Sequence, residues 1–370
     1  MRVHVYPGDQ WGCGFHRMIW PAQQLISEGH DIDIIHQQKR RLMMEIDEEK
    51  HIVHDVIVPD DVDVIVLQRV THHYLAQSVK IMRKKGVTVV IDVDDDLSTI
   101  HPTNPAWQEL HPRRFMKPGP DGRPHMHSWT NMEIACREAS YITATTPALV
   151  RKYAPHGRGG VIANYLAAHY FDHKHFDSDV IGWPASLGSH PNDPDAIGNA
   201  IARLVDEGAH FHAMSTYPGV AKAFGLADES MITSLRTSVA LENWPRVLAD
   251  QLGIGIAPLA DTKFNAAKSW LKPLELSAVG VPWVASPRED YARLHKLGAG
   301  WLADKPSDWY KKLRALRGSA ELRADLAGKG REVAEGLKIE NNAWRWWEAW
   351  REATRTDMSY GTRELELRLG

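Results

Sequence analysis

Short apolar runs alternate with helix-length amphipathic segments along most of this 370-residue chain. The run Val87-Thr-Val-Val-Ile91 is apolar at nearly every position, so a strand formed there must be buried on both faces. Such strands are typical of parallel sheets that are covered by helices on both sides. The alternation therefore predicts an α/β fold of the doubly wound type.

The first half of the chain keeps this alternation up to residue 163. Its apolar runs predict strands at Arg2–Tyr6, Asp31–Ile35, Val62–Leu67, Val87–Asp92, Tyr141–Ala144 and Gly160–Ala163. The amphipathic segments predict helices at Phe15–Glu28, His73–Lys85, Trp129–Glu138 and Pro147–Tyr153. The stretch His169–Asp179 interrupts the alternation and is predicted to be a linker.

A second β–α series follows the linker. Strands are expected at Val180–Trp183, His210–Met214, Met231–Leu235, Ile254–Leu259 and Val281–Ala285. Helices are expected at Asn192–Asp206, Trp244–Gln251, Lys268–Val279, Ser307–Arg317, Ala320–Gly336 and Asn342–Arg355. We therefore expect two Rossmann-like domains, residues 1–170 and 178–340, that face a ligand cleft.

The C-terminal segment, residues 341–370, is predicted to carry a tryptophan-rich helix. Its tryptophans are spaced by three and four residues and so cluster on the helix: Trp344, Trp346, Trp347 and Trp350. This clustering favours packing against a domain over stacking on a ligand. We expect the helix to pack back across the hinge between the domains.

Composition restricts the class of protein and its compartment. A net charge of −3 argues against a generally cationic coat for nucleic acid, although not against a local basic patch. The two cysteines, Cys13 and Cys136, are too few for a disulfide framework and fit a reducing compartment. The chain contains neither a signal-peptide pattern nor an apolar run long enough to cross a bilayer. We expect a soluble, cytoplasmic protein, and the sequence predicts no oligomeric state.

The segment Phe264–Ser286 has the residue types of a ligand site. Lys268 and Lys272 are four residues apart, and Glu275 follows three residues later, so one helix face can carry all three. The apolar run before this segment ends at Pro258 and Leu259. Two ammonium groups and one carboxylate after a strand suit a charged, hydroxylated ligand such as a nucleotide-sugar.

The turn between the first strand and the first helix is rich in glycine. Gly12 and Gly14 would let backbone amides approach an anion at the start of the helix, although a merely tight turn explains them equally well. His16 and Arg17 follow and could contact an acceptor or a phosphate. The third glycine of a dinucleotide-binding fingerprint is absent, because that position holds Arg17.

Four carboxylates lie within five residues at the end of the predicted strand Val87–Asp92: Asp92, Asp94, Asp95 and Asp96. Three interpretations are open: a metal site, a polar acceptor or catalytic site, and helix capping within a solvated acidic loop. Under the second interpretation, Asp94 or Asp95 would bind sugar hydroxyls or act as acid or base.

The loop Leu110–His127 combines prolines, glycines and several cations, including Arg113 and Arg114. Loops of this length often act as lids or as acceptor-binding segments. An anionic acceptor, DNA included, would suit this one, and a solvated loop without a ligand is the alternative.

Together these segments resemble a GT-B glycosyltransferase, most of all the family 4 retaining enzymes and their short bacterial and bacteriophage relatives. The resemblance rests on Glu133–Leu149, on Ile162-Ala-Asn164-Tyr, on Leu252–Pro258 and on Lys268–Ser286. It implies that the first half of the chain binds the acceptor and the second half the donor.

The resemblance also implies roles for single residues. Glu275 matches the second glutamate of the family's Glu-x7-Glu motif and would bind ribose hydroxyls, whereas Ala267 stands in place of the first glutamate. Lys268 and Lys272 would replace the usual Arg and Lys on the diphosphate. The family's catalytic histidine would fall near Asp94.

The predicted function is transfer of a hexosyl or pentosyl group from a UDP- or GDP-sugar, with retention and without an obligatory metal or cofactor. The candidate catalytic residues are Asp94, Asp95 and Lys268. The donor-binding candidates are Gly12, Gly14, Pro258, Lys268, Lys272 and Glu275, and the acceptor-binding candidates are His16, Arg17, Arg113 and Arg114. The acceptor stays open among DNA, protein, lipid and saccharide. The alternatives are a nucleotide-sugar epimerase and a non-catalytic module that binds glycan or DNA.

Overall fold

The computed structural model describes residues 1–36, 42–111, 128–215, 217–234 and 239–369. Contacts divide the chain into two compact units. Unit 1 comprises Met1–Ile100, Ala106–Asn164 and Asn342–Gly370, and unit 2 comprises His101–Pro105 and Tyr165–Asn341. The chain therefore starts in unit 1, passes through unit 2 and returns to unit 1.

Unit 1 is built on a parallel sheet whose described strands number six, in the order β2-β1-β5-β6-β7-β8. The strands of unit 1 are β1 (Val3–Tyr6), β2 (Ile32–Ile34), β3 (Met43–Asp47), β4 (Ile52–Ile57), β5 (Val64–Gln68), β6 (Thr88–Val93), β7 (Tyr141–Ala144) and β8 (Gly159–Val161). Every residue of β6 is buried, as its unbroken apolar run predicts.

The helices of unit 1 surround this sheet. They are α1 (Gly12–Gly14), a π-helical turn at Phe15–Ile19, α2 (Trp20–Ser27), α3 (His73–Lys84), α4 (Ala106–Leu110), α5 (Ser128–Glu138) and α6 (Pro147–Tyr153). The start of α6 illustrates how sequence sets a boundary. Thr146 caps the helix by accepting from the Leu149 amide at 3.4 Å, and Pro147 occupies the first helical position, where no N–H is needed.

The antiparallel hairpin β3–β4 was not expected from the sequence. Its strands carry Glu45, Asp47 and Asp55, residue types that are depleted from strands, so the pattern is weak. Contacts with α3 hold the hairpin instead. The Val53 amide donates to Gln77 Oε1 at 3.0 Å, and Gln77 Nε2 donates to the His51 carbonyl at 2.9 Å.

Unit 2 contains a second parallel sheet, with the described strands in the order β11-β10-β9-β12-β13-β14. Its strands are β9 (Ile181–Trp183), β10 (Phe211–Ala213), β11 (Ile232–Ser234), β12 (Ile254–Ala257), β13 (Trp283–Ala285) and β14 (Trp301–Leu302). Its helices are α7 (Ala200–Asp206), α8 (Val220–Ala223), α9 (Trp244–Gln251), α10 (Lys263–Ala266), α11 (Leu271–Ala278), α12 (Glu289–Lys296), α13 (Pro306–Gly318), α14 (Ala320–Glu335) and α15 (Ile339–Asn342). Two parallel sheets with interspersed helices confirm the predicted α/β fold class.

Two predicted helices of unit 2 begin later than expected. The segment Asn192–Asp206 contains a 3-10 turn at Asp193–Ala196 and then α7, because Gly198 takes a left-handed backbone with φ of 57°. Helix α11 begins at Leu271 instead of Lys268. Pro273 fits the first turn of a helix but would clash with the carbonyl of residue 269 if the helix began earlier.

The C-terminal helix, α16 (Trp344–Leu369), belongs to unit 1. Trp346 and Trp350 are buried there, and Trp346 Nε1 donates to the Arg17 carbonyl at 2.9 Å. Arg83 of α3 forms an ion pair with Asp357 at 2.6 Å. Within the described part of the chain, none of the helices is both long and apolar enough to cross a bilayer.

Arg17 lies in the core of unit 1 and is 1% exposed. Its guanidinium donates to both carboxylate oxygens of Asp92, from Nε at 3.0 Å and from Nη2 at 2.7 Å. Nη1 donates to the Ile162 carbonyl at 2.6 Å and also reaches Ala163 and Asn164. The side chain expected to bind an acceptor is therefore enclosed and hydrogen-bonded within the protein, which gives it a structural role.

Replacing Asp92 by Asn should lower the free energy of unfolding of unit 1 by about 3–5 kcal/mol, because Arg17 would stay buried without its countercharge. Hydrogen exchange of the β6 amides measures this loss in unit 1 alone. Arg351→Ala is the matched control, since it removes an exposed ion pair with Glu348 in α16 and should change stability by about 0–1 kcal/mol. Equal, small effects of the two substitutions would contradict the prediction.

Candidate functional site

The polar residues of unit 2 gather at the carboxyl end of its sheet, where open α/β sheets bind ligands. His190 and Asp193 lie in the segment that follows β9. Lys272 and Glu275 lie on α11, which follows β12, the strand that pairs with β9. Neighbouring parallel strands thus bring these four side chains to the same edge of the sheet.

A chain of hydrogen bonds links three of these residues. His190 Nδ1 is 2.6 Å from Asp193 Oδ2, and His190 Nε2 is 2.9 Å from Lys272 Nζ. A carboxylate can only accept, and an ammonium group can only donate. The imidazole must therefore carry its proton on Nδ1, where it donates to Asp193, and must accept from Lys272 at Nε2.

Burial, together with the nearby lysine charges, lowers the pKa of His190 and keeps it neutral. Burial lowers its pKa to about 4, the nearby ammonium groups of Lys272 and Lys268 act in the same direction, and Asp193 opposes them only in part. Burial alone would raise the pKa of Asp193, but hydrogen bonds, that from His190 foremost, outweigh burial and lower this pKa. At neutral pH the group is carboxylate, neutral imidazole and ammonium.

Asp193 is itself held by the segment that follows β12. Its Oδ1 accepts from the Ala260 amide at 3.1 Å and from Asn265 Nδ2 at 2.6 Å. Asn265 lies on α10, which Thr262 caps by accepting from the Asn265 amide at 3.1 Å. The position of Lys272 is thus determined by two segments that follow the strands β9 and β12.

Pro258 belongs to the segment that positions this group but brings no polar side chain. It is buried directly after β12, between Ala257 and Leu259. The Leu259 amide donates to Ser286 Oγ at 2.9 Å, and the Ser286 amide donates to the Ala257 carbonyl at 3.2 Å. These bonds tie the ends of β12 and β13 together beneath α11.

Glu275 is a buried carboxyl group, 8% exposed. The hydroxyl of Tyr170 donates to its Oε1 at 2.8 Å, and the indole of Trp244 also interacts with it. Burial raises the pKa of Glu275 to about 7, although the Tyr170 hydrogen bond and the Lys272 charge act against this shift. The group therefore changes charge near neutral pH.

Lys268 precedes α11 and does not share its helical face. Its Nζ lies over the Phe264 ring, 4.4 Å from the centroid, a cation–π contact. Its charge nevertheless acts on His190. The backbone just after it is fixed because Asp290 accepts from the Trp270 amide at 2.8 Å. The structure therefore brings Lys268, Lys272 and Glu275 to one region of unit 2, although not on one helix.

In unit 1 the acidic segment at the end of β6 is divided among separate partners. Asp92 pairs with Arg17, Asp94 Oδ1 is 3.1 Å from Arg69 Nε, and Asp96 pairs with Lys152 at 2.5 Å. Asp96 also caps the 3-10 turn at 97–99, as the capping interpretation predicts for this residue. The searched, described residues contain no group of three or more His, Cys, Asp or Glu side chains arranged to hold a metal ion.

The glycine turn of unit 1 is tight. The Gly14 amide donates to Asp9 Oδ1 at 2.9 Å, and a Cβ on Gly14 would lie 2.0 Å from the Asp9 carbonyl oxygen. This close approach explains Gly14 without an anion; Gly12, by contrast, has open space around it. His16 is buried and meets the Trp20 ring edge-on, 4.7 Å between centroids.

Arg113 and Arg114 lie outside the described residues, so they stay expectations from the sequence. Asp95 is half-buried beside the Asp94–Arg69 pair. Sequence reasoning missed four residues of the unit 2 group: Tyr170, His190, Asp193 and Asn265. The only signal for His190 and Asp193 was their position in the segment after the buried strand β9.

The fold matches solved GT-B glycosyltransferases. HepE from Anabaena, solved with UDP, shares 11% identity at a TM-score of 0.57, over 95% of this chain and 100% of HepE. Sucrose-phosphate synthase from Thermosynechococcus elongatus shares 10% identity at a TM-score of 0.61, over 95% of this chain and 99% of the synthase. A glycosyltransferase from Rickettsia africae shares 11% identity at a TM-score of 0.61, over 95% of this chain and 98% of that enzyme.

These likenesses define the class of fold, GT-B with two Rossmann-like domains. No family model matches the sequence. No curated protein matches it either. At this level of identity the likeness shows the architecture alone.

The arrangement around His190 predicts a neutral imidazole protonated on Nδ1 from pH 8 down to about pH 5, because its pKa is lowered to about 4. Nitrogen-15 NMR of labelled histidines reports both tautomer and titration, and the variant His190→Gln identifies the signal. A His190 signal that titrates near the ordinary value of about 6.5 would show that Lys272 does not donate to it.

Proposed function

We propose that this chain transfers a sugar from a nucleotide-diphospho-sugar to an acceptor hydroxyl. The observation that carries the proposal is a buried carboxyl group, Glu275, one helical turn from Lys272 at the carboxyl end of the unit 2 sheet. A carboxylate beside ammonium groups suits a ligand that presents hydroxyls and phosphates together. The GT-B fold supports this ligand class.

We assign the donor to unit 2. Glu275 accepts hydrogen bonds from ribose hydroxyls, and Lys272 and Lys268 neutralise the diphosphate. Of the two nucleotides proposed, we favour UDP because HepE was solved with UDP. Ala267 is buried where the family's first glutamate would stand, so the residues that recognise the sugar differ from the family pattern.

The reaction forms one bond and breaks one bond at the anomeric carbon of the sugar. The acceptor oxygen bonds to this carbon, the bond to the diphosphate oxygen breaks, and its electron pair leaves with the nucleoside diphosphate. The hydroxyl proton passes to the departing diphosphate or to a carboxylate, for which Asp94 and Asp95 of unit 1 are the candidates. Retention of configuration follows if the acceptor arrives on the face that the diphosphate leaves.

The lysines act on the leaving group. Negative charge grows on the diphosphate as the glycosidic bond lengthens, and a fixed ammonium group stabilises that charge more strongly in the transition state than in the bound donor. Asp193 and His190 hold Lys272 in place before the donor arrives. This preorganisation avoids the reorientation that a free lysine would undergo during the reaction.

Lys272→Ala should lower the rate of nucleoside diphosphate release by about 10²–10³, the typical loss for one stabilising donor. Glu275→Ala should lower the same rate at limiting donor concentration, because it removes the carboxylate that accepts from the ribose hydroxyls. The assay follows UDP or GDP release from a panel of nucleotide-sugars, with and without acceptor alcohols. Lys329→Ala is the control, because Lys329 is exposed on α14 and its ion pair, with Asp325 at 2.7 Å, lies on the same exposed helix face. Its rate should equal that of the unaltered protein.

The outcomes separate the alternatives. Conversion of a donor to its epimer without nucleotide release would replace the transferase with an epimerase. Binding of a nucleotide-sugar without turnover, under any acceptor, would indicate a non-catalytic module. Unchanged turnover in both Lys272→Ala and Glu275→Ala would remove the site assignment.

Binding of UDP-glucose should strengthen as the pH rises from 6 to 8, because Glu275, with a pKa of about 7, must be ionised to accept two ribose hydroxyls. The ionised fraction rises roughly tenfold over this range, so the Kd should fall by up to about that factor. Isothermal titration at several pH values measures it. The diphosphate of UDP-glucose carries no group that titrates there.

Glu275→Gln is the matched control for the pH profile. The amide keeps the size of the side chain but has no charge to lose, so binding should be weaker and independent of pH between 6 and 8. A pH dependence that persists in this variant would assign it to another group.

A further inference from the structure

Unit 1 contains a cavity of about 460 Å³ at the carboxyl ends of β1 and β5. This volume lies within the range of about 300–1,000 Å³ that small-molecule sites occupy. Its walls come from the ends of these two strands, from the start of α3 and from β3 of the hairpin. The cavity thus occupies the edge of the sheet at which α/β proteins bind their ligands.

The walls are mainly apolar and rich in rings. Its apolar lining residues include Met44 and Ile46 of β3, Leu67 of β5 and Leu75 of α3. The aromatic side chains of Tyr6, His72 and Tyr74 also line it. Aromatic rings and a thioether favour a flat aromatic ligand through ring packing and sulfur–aromatic contacts.

The polar groups at the cavity offer little net positive charge. Among the described lining residues, Arg69 is the only permanently charged one, and its guanidinium pairs with Asp9 and, at 3.1 Å, with Asp94. Gln68 accepts from the Gly8 amide at 2.9 Å and donates to the Cys13 carbonyl at 3.2 Å. These groups suit a neutral ligand better than a polyphosphate.

The cavity is held open by its frame. The hairpin is fixed to α3 by the Gln77 bonds and by Lys85, which donates from Nζ to the Val56 carbonyl at 2.8 Å. Ser78 Oγ of α3 lies 3.4 Å from Met44 Sδ and so links this lining side chain to the helix. These contacts hold β3 and α3 apart as the two walls of the cavity.

We infer that this cavity binds the apolar body of the sugar acceptor, a neutral small molecule that carries a hydroxyl on an aromatic ring system. The role of the occupant as an acceptor rests on the proposed function. The assignment of the cavity as a binding site is independent of that function. Arg69 lines the cavity and its Nε is 3.1 Å from Asp94 Oδ1, so a hydroxyl at the Arg69 end lies beside this ion pair.

The test uses 4-methylumbelliferone, a fluorescent phenol, titrated with the full chain at pH 6.5 in the absence of a donor. The unaltered protein should bind it saturably at one site. Met44→Trp fills the cavity and should raise the Kd at least tenfold. Met43→Trp is the matched control, because Met43 is the neighbouring residue of β3, 60% exposed, and does not line the cavity; its Kd should stay within about twofold.

Leu75→Trp fills the same space from α3 and guards against misfolding of a single variant. Circular dichroism and unchanged UDP binding in unit 2 serve as the fold control. Absence of saturable binding to the unaltered protein, or equal Kd values in all variants, would overturn the inference. Binding of a single-stranded DNA oligonucleotide that Met44→Trp abolishes, without phenol binding, would overturn it in favour of a nucleic acid.

The two proposals fail separately. Phenol binding with no binding of UDP or UDP-glucose would contradict the donor site and leave the cavity assignment standing. UDP binding and turnover without phenol binding would contradict the cavity assignment alone.

Discussion

The buried ion pair between Arg17 and Asp92 organises unit 1. It joins the π-helical turn after β1, the end of β6 and the carbonyls that follow β8, three segments far apart in sequence. Thr143 of β7 also donates to Asp92 at 2.7 Å. A charge buried this deeply is tolerated only with its partner present, so these segments must adopt their positions together. The acidic residues beyond β6, Asp94 included, take their places from this arrangement.

Unit 2 uses buried polar groups differently. From Asn265 through Asp193 and His190 to Lys272, each group satisfies the next, and the chain of hydrogen bonds ends at a cation. Glu275 differs from these groups, because burial raises the pKa of its carboxyl group to about 7. The proposed donor would add hydroxyl contacts to Glu275 and phosphate contacts to Lys272. The described residues therefore support the proposed nucleotide diphosphate more than they support recognition of a particular sugar.

The sequence predicted the fold because fully buried parallel strands such as β6 leave an unmistakable apolar run. It did not predict the hairpin β3–β4, whose acidic residues hide the strand pattern and whose stability comes from α3. Charge and spacing single out Lys272 and Glu275 of α11 as candidates for donor binding. His190 and Asp193 were not, because a single histidine and a single aspartate carry no pattern until β9 and β12 pair. The sequence predicts an acceptor-binding role for Arg17, because residue spacing carries no information on the burial of its side chain.

The helix α16 has a consequence for the order in which this protein is made. Trp346 and Trp350 complete the packing around β6 and β7, yet they leave the ribosome after all of unit 2. Unit 1 therefore waits, with part of its sheet uncovered, while some 180 intervening residues are synthesised (residues 165–341). Unit 2 is continuous apart from residues 101–105, so all of its residues are synthesised before α16. The sheet of unit 1 therefore receives its last covering helix only after the whole of unit 2 has been synthesised.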